Sequence, residues 1–197
     1  MKRICVISTS RADYYLLSLI CKKIKLSKKL KLFFIASGDH FIFNKGYSYR
    51  DILKDGFKID FKIPSKHRLD SRKSIISNFS DSLRKYQKAF SKINPHLILL
   101  LGDRFEIMSP ALTALIYGIP IAHIHGGEVT EGAIDDSVRH SLTKISNIHF
   151  VCNEIYKKRV QQLGENSKMV FNVGGIGADI IKNESLLNKK DLEYSLK

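Results

Sequence analysis

"HLILLLGDRFE", residues 96–106, sets an almost wholly apolar run directly before a glycine and a cluster of charges. A run of that length without alternation suits a strand buried on both faces, the habit of the middle of a parallel sheet. The "NP" at 94–95 ends the helical pattern that runs from about Ser71 to Ile93, because a residue before proline disfavours helical backbone.

The same rhythm extends in both directions. "RICVIS" (3–8), "KLFFIAS" (31–37), "PIAHI" (120–124), "IHFVC" (148–152) and "MVFNV" (169–173) read as further buried strands, and "FKIDFKI" (57–63) alternates as a peripheral strand does. Helical patterns lie between them. One starts at about Asp13, with Tyr14, Leu17, Ile20, Cys21 and Ile24 on one stripe, and others cover Glu106–Tyr117, Asp135–Lys144 and Glu154–Leu163. Residues 38–56 read as a glycine-punctuated loop with a short helix. The alternation predicts an α/β fold with a doubly wound parallel sheet, and 197 residues suffice for a single domain with one sizeable core. A tail rich in lysine and asparagine follows at 182–197.

The formal net charge of +14 points to an anionic partner. The dense run "KKIKLSKKLK" (22–31) reads as a solvated helix end, and no zinc-finger or RNA-recognition signature accompanies it, so no nucleic-acid partner is expected. No apolar run approaches the ~20 residues of a spanning helix, and "MKRICVISTSRAD" turns polar too early for a signal peptide. A cytoplasmic protein without a membrane partner is expected. Cys5, Cys21 and Cys152 are widely spaced with no CxxC pair, and read as small core residues.

Ligands of such sheets bind beyond the carboxyl ends of the strands, so the loops leaving the strands are read together. "STSRAD" (8–13) carries Arg11 and Asp13, "GDRFE" (102–106) carries Asp103 and Arg104, and "HGGEVTEG" (125–132) carries Glu128 and Glu131. His123 and His125, two apart on a strand, would share a face if the strand stayed extended, with Asp135 or His140 completing a metal set. The glycines after His125 argue against that extension. Asp135 and Asp136 open a helix, where they oppose the dipole, and Arg139 and His140 stand four residues on, in reach of each. "GGIGAD" (174–179) lacks the full dinucleotide spacing and reads as a turn that starts a helix or a hinge.

Taken together, "STSRADY" (8–14), "GYSYRDILKDGFKID" (46–60), "LLGDRFE" (100–106), "AHIHGGEVTEGAIDDSVRHSLTKIS" (122–146) and "VFNVGGIGADII" (170–181) resemble the hydrolysing UDP-N-acetylglucosamine 2-epimerases of sialic- and related nonulosonic-acid synthesis. The resemblance implies a Rossmann-like lobe, residues 1–181, of the two-lobed glycosyltransferase-B architecture, with 182–197 leading toward a second lobe that this chain does not contain. It implies a UDP-sugar substrate, loss of UDP with inversion at C2 through a glycal intermediate, no cofactor, no metal, and a homodimer. It assigns catalytic roles to Asp103, Asp135, His125 and Glu128, and substrate contacts to Arg11, Asp13, His40, Arg104 and Arg139. Relatives often carry glutamate where this chain has His125, so a variant acid/base is implied there. A lobe alone is expected to turn over little. Two other readings stand beside this one: a non-catalytic binding or assembly module, and a metal-dependent hydrolase built on His123, His125 and Asp135.

Overall fold

The computed structural model describes residues 1–65, 71–131, 134–183 and 187–195. Its strands are Lys2–Ser8 (β1), Leu30–Gly38 (β2), Phe61–Pro64 (β3), Leu97–Leu101 (β4), Ile121–Ile124 (β5), Ile148–Val151 (β6) and Val170–Asn172 (β7). They form one sheet in the order β3-β2-β1-β4-β5-β6-β7, every neighbouring pair parallel. Progression reverses between β1 and β4, which makes their carboxyl ends the switch point of a doubly wound fold. The 96–101 stretch is that central strand: Ile98, Leu99 and Leu100 are buried.

The helices are Arg11–Leu26 (α1), Tyr49–Lys54 (α2), Arg72–Ile93 (α3), Met108–Ile116 (α4), Asp135–Ile145 (α5), Glu154–Gln162 (α6), Ile176–Asn183 (α7) and Lys189–Ser195 (α8). Period-two alternation along the strands sends Cys5, Ile7, Ile35, Ile98, Leu100 and Ile121 to the face covered by α3, α4 and α5. Ile4, Val6, Phe34, Ala36, Leu99 and Ile124 go to the opposite face, under α1 and α7. Truncating the fully buried Leu100 to alanine removes contacts on a packed face, at a cost of about 2–5 kcal/mol.

Four local departures from the sequence reading have physical causes. Residues 57–60 are not strand: Gly56 turns with φ +76°, Phe57 stacks on Phe34 in the core, and the Asp60 carboxylate accepts the Phe34 N–H that a longer β3 would have paired. The helix expected from Glu106 opens with a 3-10 turn at Phe105–Ile107. Asp13 lies inside α1, not at its start: Ser10 is the N-cap, and Asp13 completes a capping box, a motif that contributes about 1 kcal/mol. The tail contains a short exposed helix, α8, that its composition did not predict. "GGIGAD" does start a helix, α7, after Gly174 turns at φ +78°, and α7 runs across residue 181. Among the described residues no helix is long and apolar enough to cross a membrane.

Candidate active site

The loops after β1, β2, β4, β5 and β6 meet beyond the carboxyl ends of the strands. On one side, the loop after β1 is shaped from within by Asp13, whose carboxylate accepts from the backbone N–H groups of Thr9 and Ser10 (both 2.7 Å) and from their hydroxyls (3.0 and 2.5 Å). Asp13 is therefore spent on holding the loop, and it presents no open carboxylate to a ligand. His40 is fully buried, with Nε2 2.8 Å from Ser8 Oγ and Nδ1 2.8 Å from Ser48 Oγ. Burial pushes its pKa down against the pull of Asp13, Asp39 and Asp51, so it stays neutral and ties the β1 and β2 loops together.

Gly38, at φ +57°, lets the β2 loop pass close to Thr9, where the Asp39 N–H donates to the Thr9 carbonyl (2.8 Å). Asp39 in turn accepts from Arg104 (3.1 Å), which also reaches Glu106 (2.6 Å). Arg11, Lys45 and Arg104, with Asp39 and Ser10, line an open concavity of about 490 Å³. Arg11 is exposed, and Arg104 keeps a buried Nε–H without a hydrogen-bond partner among the described residues. A concavity rimmed by three cations has the charge a diphosphate requires.

On the other side, β5 ends at Ile124 and His125 adopts φ +66°, a left-handed conformation uncommon for a residue with a Cβ. Gly127 follows at φ +76°, pressed against α6: a Cβ there would fall 2.5 Å from the Tyr156 carbonyl oxygen and 2.8 Å from Val160 Cγ2. Arg159 donates to the Gly127 carbonyl (2.7 Å) and locks the contact. The turn brings His125 Nδ1 within 2.7 Å of Glu128 Oε1, and the Cys152 thiol at the end of β6 donates to the same oxygen (2.8 Å).

Arg139, on α5 and only 5% exposed, organises the rest. Its Nη1 donates to the His125 carbonyl (2.7 Å) and lies 3.6 Å from Glu128 Oε2, while its Nη2 binds the Asp103 carboxylate and Thr130 Oγ1 (3.0 Å). Burial works to raise the Glu128 pKa, but the hydrogen bonds from His125 and Cys152 and the neighbouring imidazole and Arg139 guanidinium outweigh it, and the net shift is downward. Burial and the neighbouring Glu128 carboxylate push the Cys152 thiol up to about 12. Glu128 is thus ionised at neutral pH and Cys152 protonated.

The structure gathers Asp103, His125, Glu128 and Arg139 into this one network, with Arg104 and His40 in the adjoining loops and Arg11 on the rim of the concavity. The HxH pair does not form. His123 is fully buried, its Nε2 on the Gly102 carbonyl (2.8 Å) and its Nδ1 near Thr143 Oγ1 (3.3 Å), and burial lowers its pKa to about 4. Because the chain leaves the strand at His125, the two rings part, and the metal set of His123, His125 and Asp135 is not assembled.

Asp135 opens α5, half-buried, and among the described residues no hydrogen bond or ion pair holds its carboxylate. Arg139 turns to Asp103 instead, so the expected Asp135–Arg139 pair is absent, whereas the expected Asp136–His140 pair is present at 3.5 Å. Glu131 is exposed. Cys5 and Cys21 are core thiols as expected, but Cys152 is not, standing half-buried in the His125–Glu128 network. Cys152, Asp39 and Thr130 were missed, although each follows a strand and the rule of reading strand ends together reaches all three.

The sequence profile of the UDP-N-acetylglucosamine 2-epimerase family matches residues 22–197. The chain belongs to this family. It is 46% identical over 99% of its length to the GDP/UDP-N,N'-diacetylbacillosamine 2-epimerase (hydrolyzing) of Campylobacter jejuni, and 33% identical over 92% to the UDP-N,N'-diacetylbacillosamine 2-epimerase (hydrolyzing) of Legionella pneumophila. It is also 35% identical over 98% to the polysialic acid biosynthesis protein P7 of Escherichia coli. The chain spans 50%, 48% and 49% of these relatives, about half their length.

Among solved structures, the fold matches UDP-GlcNAc 2-epimerase from Neisseria meningitidis bound to UDP-GlcNAc, at TM-score 0.79 and 17% identity, over 92% of this chain and 49% of that one. It also matches the Methanocaldococcus jannaschii UDP-GlcNAc 2-epimerase in complex with UDP-GlcNAc and UDP, at TM-score 0.82 and 18% identity, over 98% and 52%. The family and the seven-stranded sheet together make this chain one Rossmann-like lobe of the glycosyltransferase-B type.

Proposed function

We propose that residues 1–181 form the catalytic lobe of a hydrolysing 2-epimerase that acts on UDP-N-acetylglucosamine or a UDP-diacetamido-sugar, releasing UDP and a manno-configured amino sugar for nonulosonic-acid synthesis. The observation that carries this reading is the network in which Arg139 binds Asp103 and approaches Glu128 beside the switch point, within a chain 46% identical to a hydrolysing epimerase over 99% of its length. A second lobe, reached through residues 182–197, closes the cleft, and the three free thiols are consistent with a reducing, cytoplasmic setting.

The chemistry assigns the groups as follows. Asp135, unpaired among the described residues, takes the C2 proton, and the C1–O bond to UDP breaks to leave a 2-acetamidoglycal. Arg11 and Arg104 neutralise the charge that grows on the departing diphosphate. Water then adds, its hydroxyl to C1 and a proton to C2 on the opposite face, with His125 delivering that proton. Asp103 and Glu128, held by Arg139, orient the sugar and stabilise positive charge near C1. His40 and Asp13 act by holding the β1 and β2 loops, and do not touch substrate.

The test is UDP release coupled to NMR of the sugar product, on the chain alone and mixed with the second half of the Campylobacter jejuni relative. One wall of a cleft leaves the reacting centre in water, so the chain alone is expected to be nearly silent. Activity in the mixture, reduced by about 10²–10⁴ in Asp103→Asn, supports the assignment. UDP-sugar binding without turnover in the mixture would favour the non-catalytic module.

A further inference from the structure

We propose that His125, Glu128 and Cys152 form a three-ligand zinc site whose occupation switches the catalytic network off. The candidate ligand atoms of these three residues all lie within 4.8 Å of one another, and no other set of three such side chains does so among the described residues. His125 Nδ1 and Cys152 Sγ lie 2.7 and 2.8 Å from Glu128 Oε1, and 3.3 Å from each other. Nitrogen, thiolate and carboxylate around a tetrahedral zinc stand roughly 3.3–3.7 Å apart, so the His125–Cys152 edge already fits and the two edges to Glu128 widen by about 0.5–1 Å, within reach of a side-chain rotation. The mixed donor set favours zinc over magnesium or calcium, which take oxygen ligands.

The triangle is also held from behind. The His125 N–H donates to the Phe150 carbonyl (2.9 Å), and its own carbonyl is held by Arg139 (2.7 Å). Arg159 fixes Gly127, and Arg139 lies 3.6 Å from the remaining oxygen of Glu128. Such outer contacts orient metal ligands. Zinc takes the place of the proton that Cys152 shares with Glu128, which leaves to solvent, and binds His125 through Nδ1, any proton there passing to Nε2 or to solvent. No electron is transferred. The ion thereby removes a carboxylate and an imidazole from proton transfer, and that consequence alone rests on the epimerase reading.

Cobalt(II) titration of the metal-free, reduced 197-residue chain tests the site without needing turnover. One equivalent is expected to bind with near-ultraviolet thiolate-to-cobalt absorption, and zinc to displace it. Cys152→Ser should abolish that absorption and weaken binding at least tenfold. His125→Asn, which retains a side chain tolerant of φ +66°, should weaken binding similarly with an unchanged circular dichroism spectrum. Absence of stoichiometric binding, or absorption that survives Cys152→Ser, overturns the proposal. An inactive mixture whose lobe binds cobalt as described would count against the epimerase reading alone.

Discussion

The two halves of the rim use similar residues differently. Beside β5 and β6, Arg139 is buried and its guanidinium is divided among Asp103, Glu128, Thr130 and the His125 backbone. Beside β1 and β2, Arg104 is partly exposed with two carboxylate partners, and Arg11 stands out in solvent. The first half is built before any ligand arrives. The second keeps its reserve in Arg11, beside an Arg104 already paired, as a seat for a strongly charged ligand requires. A charge that stabilises the fold is buried and paired, whereas one that captures an anion has to remain hydrated until the anion replaces the water.

Breaking the first half should have the largest effect. Arg139→Ala takes from the partly buried Asp103 and Glu128 the buried cation they share, and urea unfolding should show a loss of about 3 kcal/mol. Acid should act on both halves, through His40 in one and His123 beside the other. Each is held below its ordinary pKa by burial, so the unfolded chain takes up protons first as pH falls. Their neutral form supports the fold above about pH 6.5, and stability should decline as pH drops toward 4, with His123 alone contributing about 3 kcal/mol. A urea midpoint that stays flat from pH 7 to 4.5 would show that the core histidines are accommodated when charged.

Gly127→Ala sharpens the contrast by pressing on the built half alone. Its Cβ meets the Tyr156 carbonyl and its φ is positive, so a loss of about 1–3 kcal/mol is expected in thermal unfolding. Arg11→Ala should move stability by less than about 0.5 kcal/mol, as exposed substitutions do. The same variant should weaken UDP binding, measured by NMR titration, by about tenfold, the worth of one charge-assisted hydrogen bond. Equal effects of Arg11→Ala and Arg139→Ala on unfolding would erase the distinction between the halves.

The fold was readable because parallel sheets write themselves as unbroken apolar runs, and 96–101 is such a run. Where tertiary contact overrode local pattern, the reading failed. "FKIDFKI" alternates like a strand, yet Phe57 gains more by stacking on Phe34, and Asp60 then supplies the missing acceptor. The HxH pattern assumed extended backbone at His125, and positive φ at that residue is a property of the packing of Gly127 on α6, far along the chain. Spacing suggested that Arg139 serves Asp135; only the placement of β4 beside β5 shows that Asp103 takes it instead. Cys152 looked like Cys5 and Cys21 because composition cannot say where on a strand a thiol stands.

Asp103 and Arg104 are neighbours on one turn, yet the first belongs to the Arg139 half and the second to the Asp39 half. Gly102, at φ +83°, starts that turn as β4 ends. Inserting or deleting a single residue there would present the wrong sign to both sides at once. The length of this turn is therefore fixed by charge order, and across related sequences gaps should collect in the β2 and β3 connections and spare residues 102–104.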